Sequence, residues 1–146
     1  MNAKLVIKRI LFYFISFTWG ILTSLIGLIV VVSVGIFKGF HVYHGRLFTT
    51  IGKNWGGLEL GCFFICCDDC LNDESLKAHE CGHGLQNIIF GPLFPFIIGI
   101  PSAIRYWYRE LKYIRKGIKA PTAYDDIWFE GLATKWGEKY IATDRI

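Results

Sequence analysis

Residues His79-Glu80-Cys81-Gly82-His83 spell H-E-x-x-H. On a helix the two histidines stand one turn apart on one face, so both imidazoles can reach a single cation. Glu80 lies beside them, where it can accept a proton from water that a metal has acidified. Two imidazoles and a carboxylate base are the minimum equipment of a zinc hydrolase. The plain alternative is a polar helix face carrying two solvated histidines. A third alternative has no metal at all: a module that binds a membrane or a protein partner.

Such a motif needs a helix to carry it, and the flanking residues supply one. Asn72 or Asp73 can cap its start, and Glu74 puts an acid in the first turn, where the helix dipole favours it. Leu76, Ile88 and Ile89, with Leu85 nearby, give an apolar face, and Gly91-Pro92 ends the helix. Gly82 and Gly84 flank His83, and each costs about 1 kcal/mol relative to alanine inside a helix. A solvated helix gains nothing for that cost, whereas a helix pressed against another backbone does. A partner lies downstream, where Glu130, Ala133 and Gly137 fall along one stripe of a helical segment. A helix bearing an acid, a small residue and no side chain along its stripe can pack closely and bring Glu130 to the metal. Asp125, Asp126 and Glu138 are rival ligands at this stage.

H-E-x-x-H followed much later by Glu-x-x-Ala resembles the gluzincin group of zinc metallopeptidases. The stretch from Trp55 to Gly137 is similar to small bacterial membrane-associated proteins. It shares with them Trp55-Gly56-Gly57-Leu58, the motif with Gln86 after it, Gly91-Pro92-Leu93, Ile100-Pro101-Ser102, and Trp128-Phe129-Glu130 with Ala133 and Gly137. The resemblance implies zinc bound by His79, His83 and Glu130, with Glu80 as catalytic base. This chain departs from the pattern at Cys81, where an aromatic residue is expected, and the resemblance gives no substrate.

The chain has 146 residues, enough for one domain; 53 % are hydrophobic and 16 % aromatic. Mean hydropathy is +0.38, high for a soluble domain. No residue from Ile10 to Phe37 is charged. One helix over that run would be about 42 Å long, more than the roughly 30 Å hydrocarbon core, so a single tilted transmembrane helix is expected. Residues 1–37 then form a basic segment and membrane anchor, and 38–146 a zinc metallopeptidase domain. A second apolar stretch, 88–104, is broken by Pro92, Pro95 and Pro101. A full span there would put Glu130 across the bilayer from the histidines, so a re-entrant or interfacial path is expected. Lys4, Lys8 and Arg9 favour a cytoplasmic N-terminus, yet the basic stretch from Arg105 to Lys119 makes the same claim for its own side. With one span these preferences conflict.

Five cysteines, an odd number, suit a reducing compartment. Cys67 and Cys70 with His79 and His83 also spell C-x2-C-x8-H-x3-H, from which a structural zinc site could be built. That spacing is short for a zinc finger and leaves Glu80 and the glycines without a purpose. His41 and His44 read as polar residues at a membrane exit. Tyr106, Tyr108 and Arg105 could stabilise an oxyanion, but anchoring at the membrane interface suits them better. The apolar runs 46–51 and 58–66, separated by Asn54-Trp55-Gly56-Gly57, predict a β-hairpin whose edge an extended peptide could join. Helices are expected at 73–90, 102–116 and 125–140. The basic excess sits beside lipid-like aromatics, so nucleic acid is not the expected partner. The expected fold is mainly α with a small β-hairpin, an N-terminal transmembrane helix leading into a compact, zincin-like helical domain.

Overall fold

The computed structural model describes residues 3–144. Helices dominate it. The apolar N-terminal run forms two helices, α1 (Ala3–Thr18) and α2 (Ile21–Lys38), in place of the one continuous helix expected. The break at Trp19-Gly20 has a tertiary cause. A side chain at position 20 would collide with the buried amide of Asn87, and the Trp19 indole fills the space left by Gly91. Trp19 Nε1 also donates to the Ile89 carbonyl at 3.4 Å. Among the described residues, α2 is the one unbroken helix long and apolar enough to cross a membrane.

Four short strands follow: β1 (His41–Tyr43), β2 (Arg46–Thr50), β3 (Gly57–Leu60) and β4 (Phe63–Cys66). They form one mixed sheet in the order β1-β2-β4-β3. The expected hairpin between 46–51 and 58–66 is therefore wrong in two ways. The second run is two strands, folded back at Gly61, whose φ of +82° suits glycine. Moreover, β2 pairs with β4 in parallel, with Phe48 beside Phe64, and β3 pairs antiparallel with β4 at the edge. The hairpin that closes directly is β1–β2, through His44-Gly45, both at positive φ, as a two-residue turn requires.

Strand β4 is buried on both faces, which explains its unbroken apolar sequence. Phe63 and Ile65 meet Val31 of α2 and Phe12 of α1. Phe64 and Cys66 point the other way, into a cluster with Ala78, Cys81 and Ile141. Helix α2 lies along the sheet through Thr23, Ser24, Gly27, Val31 and Gly35, while Leu25, Ile29, Val32 and Ile36 face outward. Arg9 of α1 pairs with Asp144 at 2.8 Å, tying the start of the fold to its end.

Helix α3 (Glu74–Phe90) carries the motif on the opposite side of the sheet from α2. Asp73, not Asn72, caps it by accepting from the Leu76 amide at 3.0 Å. After Gly91 the chain runs through a tight 3-10 turn at Gly91–Leu93 and a wider π-helical turn at Pro95–Gly99 into α4 (Ile100–Lys112). The direction changes by 117° across these prolines, so 88–104 is no straight span. The last helix, α5 (Trp128–Asp144), packs against α3.

Candidate metal centre

Helices α3 and α5 cross where neither has a side chain in the way. A Cβ on Gly82 would lie 2.5 Å from the Ala133 carbonyl carbon and closer still to its oxygen; one on Gly137 would lie 2.6 Å from the Ala78 carbonyl carbon. The stripe Glu130, Ala133, Gly137 is buried in this crossing, as its spacing predicts. Gly84 serves a different purpose from the one expected. It faces the Arg46 side chain, whose guanidinium stacks 4.2 Å from the Phe12 ring centroid and 5.1 Å from that of Tyr140.

The crossing brings three ligand atoms together. Glu130 Oε2 lies 3.0 Å from His79 Nε2 and 3.2 Å from His83 Nε2. The potential ligand atoms of these three residues all lie within 4.8 Å of one another, so the group could hold a metal ion. Glu130 is fully buried, and a lone carboxylate would not be left there without a cation to face.

The hydrogen bonds behind the histidines prepare both for ligation. His83 Nδ1 lies 2.7 Å from Gln86 Oε1, and Gln86 Nε2 donates to the Phe129 carbonyl at 2.7 Å. That second bond fixes the amide, so its oxygen accepts from Nδ1–H. His79 Nδ1 lies 2.8 Å from the Thr134 hydroxyl, which donates to Asp125 at 3.0 Å. The hydroxyl has spent its proton on Asp125, so it too accepts from Nδ1–H. Both rings therefore keep Nδ1–H engaged and point Nε2 at Glu130, so a cation that displaces the Nε2 proton meets the tautomer that a metal ligand needs. These residues fit a cation.

Electrostatics point the same way. Burial pulls the His83 pKa down, but hydrogen bonding to Glu130 and the charges of Glu80 and Glu130 outweigh it and raise the value to about 9. Burial pushes Glu130 up, yet the hydrogen bonds from His79 and His83 hold it well below the usual carboxylate range. The site attracts positive charge. Glu80 is 4 % exposed, and burial raises its proton affinity against the opposing pull of His83 and His79. It sits under β3. Gly57 leaves room for its carboxylate, which the Glu59 backbone amide also hydrogen-bonds.

Tyr124 and Ser102 complete the group, and sequence reasoning missed both. The Tyr124 hydroxyl donates to Glu130 Oε1 at 3.3 Å, and Ser102 bonds both Tyr124 and Glu130. Burial raises the Tyr124 pKa, so the phenol keeps its proton. The Arg105 guanidinium bonds the Ala123 and Tyr124 carbonyls and so holds this turn, which is a structural role and not the oxyanion role considered for it. Tyr106 lines the cavity beside the site, whereas Tyr108 is exposed and bonds Lys112. Of the rival acids, Asp125 orients Thr134, Asp126 caps its own turn through the Ala123 amide, and Glu138 points to solvent. Thr134 had a signal: it lies four residues after Glu130, on the same helical face.

Cys67 and Cys70 are joined by a disulfide, so neither thiol can ligate a metal with the histidines. This corrects both the expectation of free thiols and the Cys2His2 alternative. Cys62, Cys66 and Cys81 are buried thiols. His44 pairs with Asp144 at 2.7 Å, and His41 stacks on Phe48; neither joins the centre.

A cavity of about 410 Å3 opens beside His79, Glu80 and His83. Its walls are largely apolar, with Trp55 and Leu58 on the β3 side, Phe94 and Ile98 below, and Tyr106 and Trp107 from α4. Comparison of the chain with protein families, curated proteins and solved structures finds no match.

Proposed function

We propose that this chain is a membrane-anchored, zinc-dependent peptidase of the gluzincin type, held in the bilayer by α2. The convergence of two imidazole Nε2 atoms and the Glu130 carboxylate, with Glu80 buried alongside, supports this most directly. A nitrogen, nitrogen, oxygen set suits zinc and leaves a coordination position open. Zinc bound there supplies Lewis acidity, which polarises a carbonyl and lowers the pKa of water.

The chain's own residues do the rest. Glu80 takes the proton of the attacking water at its carboxylate and delivers it to the leaving amine. Burial suits it to that exchange, because a desolvated carboxylate holds a proton more firmly than a solvated one. Tyr124, protonated and beside Glu130, can donate to the carbonyl oxygen as negative charge develops on it. Thr134 and Gln86 hold the two imidazoles in register. Strand β3 is one edge of the sheet and lines the cavity, so an extended peptide can pair with its backbone next to Glu80. The exposed apolar face of α2 fits lipid.

Metal analysis and a peptide-hydrolysis assay on the purified protein test this. Wild type should carry one zinc ion and cleave; Glu130→Ala should lose the zinc; Glu80→Gln should keep the zinc and lose the cleavage. A folded wild type without zinc, zinc retained at full occupancy by Glu130→Ala, or hydrolysis surviving in Glu80→Gln would overturn the proposal.

A further inference from the structure

Helix α4 is amphipathic in the wrong sense for a soluble protein. At roughly 100° per residue, Ile100, Ile104, Trp107 and Leu111 fall within about 60° of one another. That stripe is exposed, at 51 %, 64 %, 50 % and 54 %, with Trp107 at its margin also bordering the cavity. The polar side, with Ser102, Tyr106 and Arg109, lines the cavity instead. No residue of α4 is buried. An outward row of large apolar side chains needs an apolar cover.

Charge tells what the cover is. Arg105 and Arg109 are occupied by carbonyls of the 122–124 turn, and Arg115 reaches Glu110 at 3.6 Å. Lys112, Lys116 and Lys119 are exposed and, among the described residues, none forms an ion pair with a carboxylate. Lys112 bonds the Tyr108 hydroxyl at the edge of the apolar stripe. Apolar stripe, aromatic flank and lysines without a carboxylate partner are the order of groups met on moving from acyl chains into anionic headgroups. Leu93 and Phe96 in the turns before α4 and Ile89 near the end of α3 are also exposed, and the Trp19 indole bonds the Ile89 carbonyl.

We infer that the outward face of α4 is a lipid-binding face that seats on an anionic bilayer surface. It is a second membrane contact, separate from α2, and it presses the rim of the cavity against the headgroups. It does not depend on the metal centre.

An environment-sensitive dye on Leu111→Cys tests it, with Ile104→Cys as a second position. Both sites are exposed, while the three native thiols are buried, so labelling is selective. The full-length labelled protein is reconstituted into phosphatidylcholine vesicles with or without phosphatidylglycerol. With phosphatidylglycerol, emission at both positions should rise severalfold and shift to the blue, and brominated acyl chains should quench it. Omitting phosphatidylglycerol, or changing Lys112, Lys116 and Lys119 to Glu together, should return most of the signal to its aqueous value. Water-like emission at both positions in anionic vesicles overturns the inference. So does a lipid signal that is equal without phosphatidylglycerol and indifferent to the lysine changes, because the face would then lack its headgroup preference.

Discussion

Gly82→Ala should empty the metal site without touching a ligand. The new methyl carbon would lie 2.5 Å from the Ala133 carbonyl carbon and 2.7 Å from its Cα. Carbon atoms in contact sit about 3.5 Å apart or more, so α5 must withdraw by about 1 Å. Metal–ligand bonds tolerate about 0.2 Å of error, so Glu130 leaves the coordination range while both histidines stay on α3. Losing a ligand in this way should weaken zinc at least about 100-fold, equivalent to about 2.7 kcal/mol. The fold itself should survive. Overpacking costs about 1–3 kcal/mol, and alanine returns about 1 kcal/mol over glycine inside a helix. Competition with a chromophoric chelator measures the affinity, and circular dichroism verifies folding. Gly99→Ala is the control, because its Cβ would meet nothing closer than 3.8 Å. A folded Gly82→Ala protein with wild-type zinc affinity would refute the claim that the glycine crossing sets the ligand spacing.

Thr134→Val removes the acceptor for His79 Nδ1–H and should cost about 10–100-fold in zinc affinity by chelator competition. No change there would mean that the imidazole needs no external orientation. Tyr124→Phe should leave zinc bound and lower kcat by about 100-fold with little change in KM; an unchanged kcat would remove Tyr124 from the chemistry. Burial raises the Glu59 pKa to about 8 from an ordinary 4.5, the charge of Arg46 notwithstanding. The folded value lies above the unfolded one, so this contribution to stability is complete below about pH 4.5 and disappears as pH rises through about 8. Thermal melts across that window should fall less steeply for Glu59→Gln than for wild type, and parallel curves would contradict this.

The candidate site was more legible than the scaffold around it. The motif helix announced itself through its cap, its motif and its stop, and the stripe Glu130, Ala133, Gly137 pointed to a partner helix because close packing demands small residues at helical spacing. The prolines likewise marked the turn between α3 and α4. What escaped was decided by contacts between distant segments. Nothing local distinguishes a hairpin from the parallel pairing of β2 with β4, since both bury the same alternating side chains. The break between α1 and α2 lies inside an uncharged run and exists because Asn87 and Gly91 meet it. Ser102 and Tyr124 reach Glu130 from two other elements, a convergence that spacing along one helix does not encode.

One short stretch, from Tyr124 to Thr134, delivers the carboxylate ligand, the acceptor that sets one imidazole, the carbonyl that steers the amide behind the other, and the phenol over the cavity. Helix α3 contributes two nitrogens that are aligned only while this stretch is docked on it. A cation bound there would make its capture and the closure of the C-terminal helix a single thermodynamic event. It would work as a clasp between the two helices, and any force that peels the last helix away would dismantle carboxylate, orientation and phenol together.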